Sequence, residues 1–280
     1  MERDTLVTDV LFVGAGPANL TAAYALAKKL EAAGRLGDFQ IMVIEKARAV
    51  GDHILSGAVI DPRPMAAAWG DDWRSRGCPV EADVVDEKVF TFTADKAKPL
   101  PFIPPTLKNH GNAIVALSQV VVWMKQQVEA LGVMVAEGYA ADAPILEGAR
   151  VAGVRLVDQG RNPDGSEGPS FAPGAEIRAK VTVFGEGTRG SVTKALVDAL
   201  KLHGPNPQVY GTGVKELWDV PAGRIRKGTV YHSAGWPLPK SAYGGSWIYA
   251  QSDVRVSIGF VTGLDAGPPG LDPYELMQTW

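Results

Sequence analysis

Two glycines close to the N-terminus have the spacing of a phosphate-binding turn. Gly14 and Gly16 follow an apolar run at residues 7–13 and precede an alanine- and leucine-rich run at residues 20–33. Gly14 permits a tight turn, and Gly16 lets backbone N–H groups approach a pyrophosphate without a Cβ in the way. A helix that begins after such a turn offers unpaired N–H groups and a partial positive charge to the anion. The predicted contacts of this turn are Gly14, Gly16, Pro17, Ala18 and Asn19.

Two residues around this turn depart from the usual dinucleotide pattern. Asn19 replaces the third glycine, so we expect it either to widen the contact between helix and strand or to form a local hydrogen bond. Glu45, at the end of the next apolar run, lies farther along than the usual spacing of about 20 residues. A polar stretch at residues 31–39 supplies the extra length. We predict that Glu45 accepts hydrogen bonds from ribose hydroxyls.

A second glycine-rich turn lies far along the chain. Gly185, Glu186 and Gly187 follow an apolar run at residues 180–184. This arrangement resembles the second cofactor motif of glutathione-reductase-like flavoproteins, in which a strand from a distant segment returns beside the first. A helix predicted at residues 114–131 precedes it, in the order typical of that class. The resemblance implies FAD rather than NAD.

These motifs need a β-α-β unit to position them, with strands at residues 7–13 and 40–44 and a helix between. The predicted fold class is α/β, a glutathione-reductase-like FAD-binding Rossmann fold with an α+β quinone-binding (substrate) domain. We expect the FAD-binding domain to be discontinuous, made of residues 1–79 and 106–203. The second domain is expected at residues 80–105 and 204–280, incomplete at its C-terminal end.

Composition excludes several classes of protein. The 280 residues are 46% hydrophobic and 21% charged, with a net charge of −3 and no basic run, so no nucleic-acid partner is expected. The single cysteine, Cys78, can form neither an internal disulfide nor a cluster site by itself. No apolar run reaches the roughly 18 residues of a membrane-spanning helix. We predict no metal site and no catalytic side chain, and we interpret all four histidines as structural or surface residues: His53, His110, His203 and His232.

Five further segments carry a closer resemblance. They lie at residues 51–62, 109–112, 210–218, 235–238 and 243–249. Their sequences, together with the glutamate form of the second glycine turn, resemble electron transfer flavoprotein–ubiquinone oxidoreductases in order along nearly the whole chain. The resemblance implies an electron-transferring-flavoprotein dehydrogenase that uses FAD and a 4Fe–4S cluster. Its implied partners are electron transfer flavoprotein, ubiquinone and a membrane surface.

The resemblance also implies roles for individual residues. Additional cofactor contacts are expected at Lys46, Gly51, Ser56 and Gly57. Gly244 and Gly245 resemble the quinone contacts, although two adjacent glycines also make a strand bulge or a turn. Residues 59–69 resemble a membrane-dipping segment, with Ile60, Met65 and Trp69 on its apolar side, or else they form an internal packing loop.

The chain stops at Trp280, inside a helix predicted at residues 273–280. In the family, the cluster cysteines and a late FAD motif belong to a later segment. We therefore expect a truncated chain that lacks the cluster ligands, binds FAD weakly or not at all, and is inactive alone. The expected location is the cytoplasmic face of a bacterial plasma membrane, or the matrix face of the mitochondrial inner membrane for a processed eukaryotic chain.

Two other functions remain open. The first is a cluster-free flavin-dependent reductase or monooxygenase of the same fold that uses a reduced nicotinamide cofactor. The second is a non-catalytic module that docks a partner or a membrane.

Overall fold

The computed structural model describes residues 3–55 and 57–280. The chain divides into two compact units, and each is described by itself. The first unit contains residues 1–54 and 118–205, and the second contains residues 55–117 and 206–280.

The secondary structure elements are as follows. In chain order the strands are β1 Thr5–Val13, β2 Ile41–Glu45, β3 Gly57–Ile60, β4 Ala82–Asp83, β5 Asp86–Phe92, β6 Ala97–Pro99, β7 Ala113–Ala116, β8 Met134–Glu137, β9 Ala141–Glu147, β10 Arg150–Leu156, β11 Gln159–Arg161, β12 Glu167–Ala172, β13 Glu176–Phe184, β14 Gly211–Asp219, β15 Thr229–Gly235, β16 Gly244–Ala250 and β17 Arg255–Gly263. The α-helices are α1 Pro17–Ala32, α2 Pro62–Trp69, α3 Leu117–Glu129, α4 Ser191–Ala199 and α5 Pro273–Thr279, and short 3-10 helices lie at Leu36–Asp38 and Pro105–Leu107.

The first unit is built on a six-stranded sheet in the order β8-β2-β1-β13-β10-β9. Strand β1 pairs in parallel with β2 and with β13, and β2 pairs in parallel with β8. Strands β9 and β10 continue the sheet in antiparallel pairing. Because parallel strands end at the same edge, the turns after β1, β2, β8 and β13 meet there.

Helix α1 begins where the glycine turn ends. Gly16 is its N-cap and Pro17 opens its first turn, where the missing N–H of proline costs no hydrogen bond. Its buried face includes Leu20, Ala23 and Ala27, none of which is exposed. The small side chains on this face allow the helix to pack closely on the sheet.

The second unit is built on a six-stranded sheet in the order β14-β17-β16-β15-β5-β6. Helix α5 packs against β14 and β17. A three-stranded sheet, β3-β7-β4, packs against the large sheet. It contributes Ile114 and Val59 to a core that also contains Val230 and Tyr249 of the large sheet.

Two expectations from the sequence differ from this arrangement. The helix predicted from residue 114 begins only at Leu117, because the β-branched pair Ile114 and Val115 is fully buried in strand β7. The boundaries of the compact units fall at residues 55 and 118 rather than at 80 and 106. Residues 55–79 and 106–117 lie in the second unit because β3 and β7 pair with each other and pack on its large sheet.

Candidate functional site

A cavity of about 320 Å³ lies at the edge of the first unit where its parallel strands end. Val13 and Phe184, the last residues of β1 and β13, are paired, so the two glycine turns that follow are neighbours. The Gly185 N–H donates to the Val13 carbonyl at 3.0 Å. Both turns line the cavity, and the predicted convergence of Gly14–Gly16 with Gly185–Gly187 is confirmed.

The two glycines of the first turn serve different purposes. Gly14 has a φ of +95°, and a Cβ there would lie 2.7 Å from the Gly185 carbonyl oxygen, so only glycine fits where the two turns cross. A Cβ on Gly16 would meet no protein atom within 4 Å. The space beside Gly16 is therefore open, and its wall includes the N-terminus of α1, whose first N–H groups have no partner within the helix. This arrangement fits a pyrophosphate.

Glu45 is held in place by two backbone donors. Its carboxylate accepts hydrogen bonds from Ala15 N–H and Ala47 N–H, both at 2.9 Å. Each carboxylate oxygen keeps lone pairs free for further donors. Glu45 and Lys46 both line the cavity, so the carboxylate lies where ribose hydroxyls of a bound dinucleotide could reach it.

Glu186 lines the cavity and also stabilises the first turn of helix α4. Its carboxylate accepts from the backbone N–H groups of Val192 and Thr193 at 3.2 and 2.7 Å, and from the Thr193 hydroxyl at 2.6 Å. The carboxylate therefore supplies the N-terminal cap of α4, whose N-cap residue, Gly190, has no side chain. A direct contact of Glu186 with a cofactor stays a prediction.

Most of the predicted cofactor residues meet at this cavity. Its wall includes nine of them: Gly14, Gly16, Pro17, Glu45, Lys46, Gly51, Gly185, Glu186 and Gly187. Ala18 and Asn19 lie in the first turn of α1 and do not line the cavity. Gly57 lies in the second unit, where a Cβ would collide with the Ser257 side chain, and Ser56 is outside the described residues.

The cavity also has walls that the sequence motifs did not predict. These are His53, Ile54, Tyr139, Ala140, Ala141 and Arg189. The segment after β8 reaches the cavity because the N–H groups of Gly138 and Tyr139 donate to the carbonyls of Ala47 and Glu45. Strand β8 pairs in parallel with β2, so its end must lie at the same sheet edge. His53, expected to be structural or on the surface, lies on the cavity wall.

The predicted quinone residues lie within the large sheet of the second unit. Gly244 and Gly245 begin β16, which pairs with both β15 and β17. A Cβ on Gly244 would collide with the Val261 carbonyl, and one on Gly245 with the Ser233 carbonyl. Close approach of neighbouring backbone therefore explains both glycines, and their contact with a quinone stays a prediction.

A buried pair of titratable side chains lies farther along the same strands. His232 Nε2 and the Tyr249 hydroxyl are 2.9 Å apart. Burial lowers the pKa of His232, which the nearby Glu87 carboxylate opposes, and burial raises the pKa of Tyr249 to about 12. Both side chains are therefore neutral at pH 7, and their hydrogen bond links β15 to β16.

This pair predicts a pH-dependent stability. The unfolded chain binds a proton at the ordinary histidine pKa of 6.5, above the pKa in the folded protein, so stability is lost as pH falls below about 6.5. We expect the melting temperature to fall by a few degrees more in wild type than in His232→Gln between pH 7 and pH 5. Differential scanning calorimetry measures this difference. The exposed His203 gives the control His203→Gln, and identical pH profiles for wild type and His232→Gln would contradict the prediction.

Known proteins resemble the chain along its whole length. Residues 210–280 match the family model described as "ETF-QO, ubiquinone-binding". The whole chain is 40% identical over 285 residues to the mitochondrial electron transfer flavoprotein–ubiquinone oxidoreductase of Bos taurus, covering 46% of that protein. It is 38% identical over 287 residues to the probable enzyme of the same name from Acinetobacter baylyi, covering 50% of that protein.

Along its whole length the chain is similar to proteins of the electron transfer flavoprotein–ubiquinone oxidoreductase family. It spans about half the length of the curated relatives it matches. The resemblance of the sequence motifs to this family is therefore confirmed along the chain.

Solved structures of more distant proteins share the fold. A geranylgeranyl bacteriochlorophyll reductase-like protein from Thermoplasma acidophilum superposes with a TM-score of 0.68 at 17% identity, over 98% of this chain and 60% of that one. The chondrochloren halogenase CndH, a variant of FAD-dependent halogenases, superposes with a TM-score of 0.59 at 18% identity, over 93% of this chain and 54% of that one. The predicted α/β fold class, a Rossmann-type fold like that of FAD-binding proteins, is confirmed.

The membrane contacts expected from the family resemblance need a correction. Met65 and Trp69 are only 9% and 2% exposed, because both lie on the buried side of helix α2. These two side chains cannot contact lipid in this conformation, and Ile60 is half-buried. In the part of the chain that the structure describes, no helix is both long enough and apolar enough to span a bilayer.

Proposed function

We propose that the protein is a FAD-dependent oxidoreductase that passes electrons from reduced electron transfer flavoprotein to ubiquinone. The observation that carries the proposal is the cavity shared by two glycine turns and Glu45, in a chain 40% identical to enzymes of that name. FAD supplies chemistry suited to this transfer because flavin carries one or two electrons.

The residues of the first unit bind and orient the cofactor. The N-terminus of α1, beside the open space at Gly16, holds the pyrophosphate. Glu45 accepts from the ribose hydroxyls of the adenosine half. Gly185 and Gly187 lie toward the flavin half, as the resemblance implies, and Gly51 also lines the cavity.

The quinone and the partner protein are assigned from the family. Gly244 and Gly245 are the proposed quinone contacts, in the segment that matches the family's ubiquinone-binding model. The 4Fe–4S cluster is assigned to the longer protein of the family.

The test is an electron-transfer assay with the product of the complete gene. Reduced electron transfer flavoprotein and a short-chain ubiquinone are mixed with the purified protein, and quinol formation is followed by absorbance. We expect quinol formation that requires both substrates. Rapid reduction of the bound flavin by NADPH would instead support a nicotinamide-dependent reductase or monooxygenase. Docking of the flavoprotein with no quinol formed would support a non-catalytic module.

A membrane contact is part of the proposed function, and the exposed side chains indicate where it lies. Leu100 and Phe102 are 36% and 65% exposed, in a proline-rich loop after β6. An aromatic and an aliphatic side chain on an exposed loop are suited to shallow insertion among lipid headgroups. This loop replaces Met65 and Trp69 as the proposed contact.

Phe102→Ser is expected to weaken vesicle binding about tenfold or more, since burying a phenylalanine side chain stabilises by roughly 1.5–3 kcal/mol. Co-sedimentation with vesicles of neutral and anionic phospholipid measures the change. Leu202→Ser removes a similarly exposed apolar side chain, at 61%, from the first unit and is the matched control. Equal losses in the two variants would contradict a specific contact at Phe102.

A further inference from the structure

Asn19 occupies the place of the third glycine in the first cofactor motif. Its side chain is buried, with 3% exposed, where α1 meets the end of β1. Its Nδ2 donates to the Val13 carbonyl at 2.9 Å and to the Gly14 carbonyl at 2.8 Å. The amide therefore binds the last residue of the strand and the first residue of the glycine turn.

The same amide fills the space beside the second turn. A Cβ on Gly185 would lie 2.5 Å from Cγ and Oδ1 of Asn19 and 2.6 Å from Nδ2. The Val13 carbonyl accepts from the Asn19 amide and also from the Gly185 N–H of the second turn. One side chain thus contacts both cofactor turns, and the absence of a side chain at Gly185 is what makes room for it.

These contacts continue to the cavity wall. The peptide group between Gly14 and Ala15 is fixed at both ends: its carbonyl accepts from Asn19, and its N–H donates to Glu45. That peptide therefore links Asn19 to one of the two backbone N–H groups that hold the Glu45 carboxylate at the cavity wall. A glycine at position 19, as in the usual pattern, would supply neither donor.

We propose that Asn19 is a positioning residue that sets the separation of the two glycine turns and the orientation of Glu45 for the adenosine half of FAD. The proposal rests on the proposed binding of FAD by the first unit. It assigns to Asn19 a role that the third glycine of the usual motif cannot perform.

The test is a double-mutant cycle at positions 19 and 185. The variants are Asn19→Gly, Gly185→Ala and the two combined, and Gly37→Ala is the control, because a Cβ on that surface glycine meets no atom within 4 Å. Equilibrium dialysis gives the FAD dissociation constant of each. Calorimetry gives the melting temperature of each ligand-free chain.

The expected results are specific to a link between the turns. Asn19→Gly weakens FAD binding about tenfold, as expected for two lost buried hydrogen bonds. The single variant Gly185→Ala weakens FAD binding more than Asn19→Gly does, because the methyl group displaces the Asn19 amide. In the double variant the methyl group takes the vacated space, so the double variant binds FAD more tightly than Gly185→Ala alone.

Two results would overturn the proposal. The first is additive losses in the double variant, which would make the two positions independent. The second is a lower melting temperature for Asn19→Gly with an unchanged dissociation constant, which would reduce Asn19 to a packing residue. Failure of the proposed function is distinguishable from both, because it would appear as no FAD binding by wild type, with the coupling still measurable in the melting temperatures.

Discussion

Gly16→Ala is expected to lower the affinity for FAD at least about a hundredfold, roughly 2.7 kcal/mol, and to leave the melting temperature almost unchanged. The two effects separate because an added Cβ meets no protein atom within 4 Å but enters the cavity at the N-terminus of α1. A pyrophosphate seated on those N–H groups cannot tolerate the methyl group. Gly16 has a φ of −78°, so alanine adopts its backbone conformation without strain.

The measurements are FAD binding by equilibrium dialysis and thermal unfolding by circular dichroism. Gly37→Ala is the matched control, since it adds the same methyl group at an open surface position. Gly14→Ala is the contrasting variant, because its Cβ would approach the Gly185 carbonyl and destabilise the fold itself. Undiminished FAD binding by Gly16→Ala would mean that the pyrophosphate does not lie at this turn.

Glu45→Gln is expected to lower FAD affinity about tenfold to a hundredfold and the melting temperature by several degrees. The carboxylate accepts from the N–H groups of Ala15 and Ala47, and the amide of glutamine presents its own donors to one of them. Hydrogen bonds to charged groups are stronger than hydrogen bonds between neutral groups. Replacing the carboxylate therefore weakens both its bonds to the backbone N–H groups and its bond to the ribose.

The ribose contact itself can be isolated with a smaller probe. We expect wild type to bind ADP about tenfold more tightly than 2′-deoxy-ADP, and Glu45→Gln to bind the two alike. Glu31→Gln, which removes an exposed carboxylate that pairs with Lys28, is the control. If Glu45→Gln still prefers ADP, Glu45 does not bind the ribose hydroxyl.

The sequence alone predicted the sheet edge that carries the two glycine turns, because short sequence patterns determine it. Glycine after an apolar strand, followed by a helix, can be recognised without tertiary information, and parallel pairing then brings the distant Gly185 beside Gly14. The family resemblance added residues such as Gly51, whose Cβ would lie 2.7 Å from the Ser118 carbonyl.

The remaining features depend on contacts that no local pattern encodes. Residues 114–116 continue an apolar run into a helix, and only pairing with β3 and β4 makes them a strand. The apolar face of α2 indicated lipid as readily as core, and the fold buries Met65 and Trp69. A local hydrogen bond was one of the two expectations for Asn19, and the structure confirms it. The close packing of the Asn19 side chain against Gly185 could not be predicted from the sequence.

The most direct test of the account is a titration of the ¹⁵N-labelled chain with FAD, followed through the backbone amide resonances of Gly14, Gly16, Gly185 and Gly187. We propose that two glycine turns at the ends of neighbouring strands bind one FAD molecule. We expect all four resonances to shift with one common dissociation constant. Shifts confined to Gly14 and Gly16, or different constants for the two turns, would contradict it.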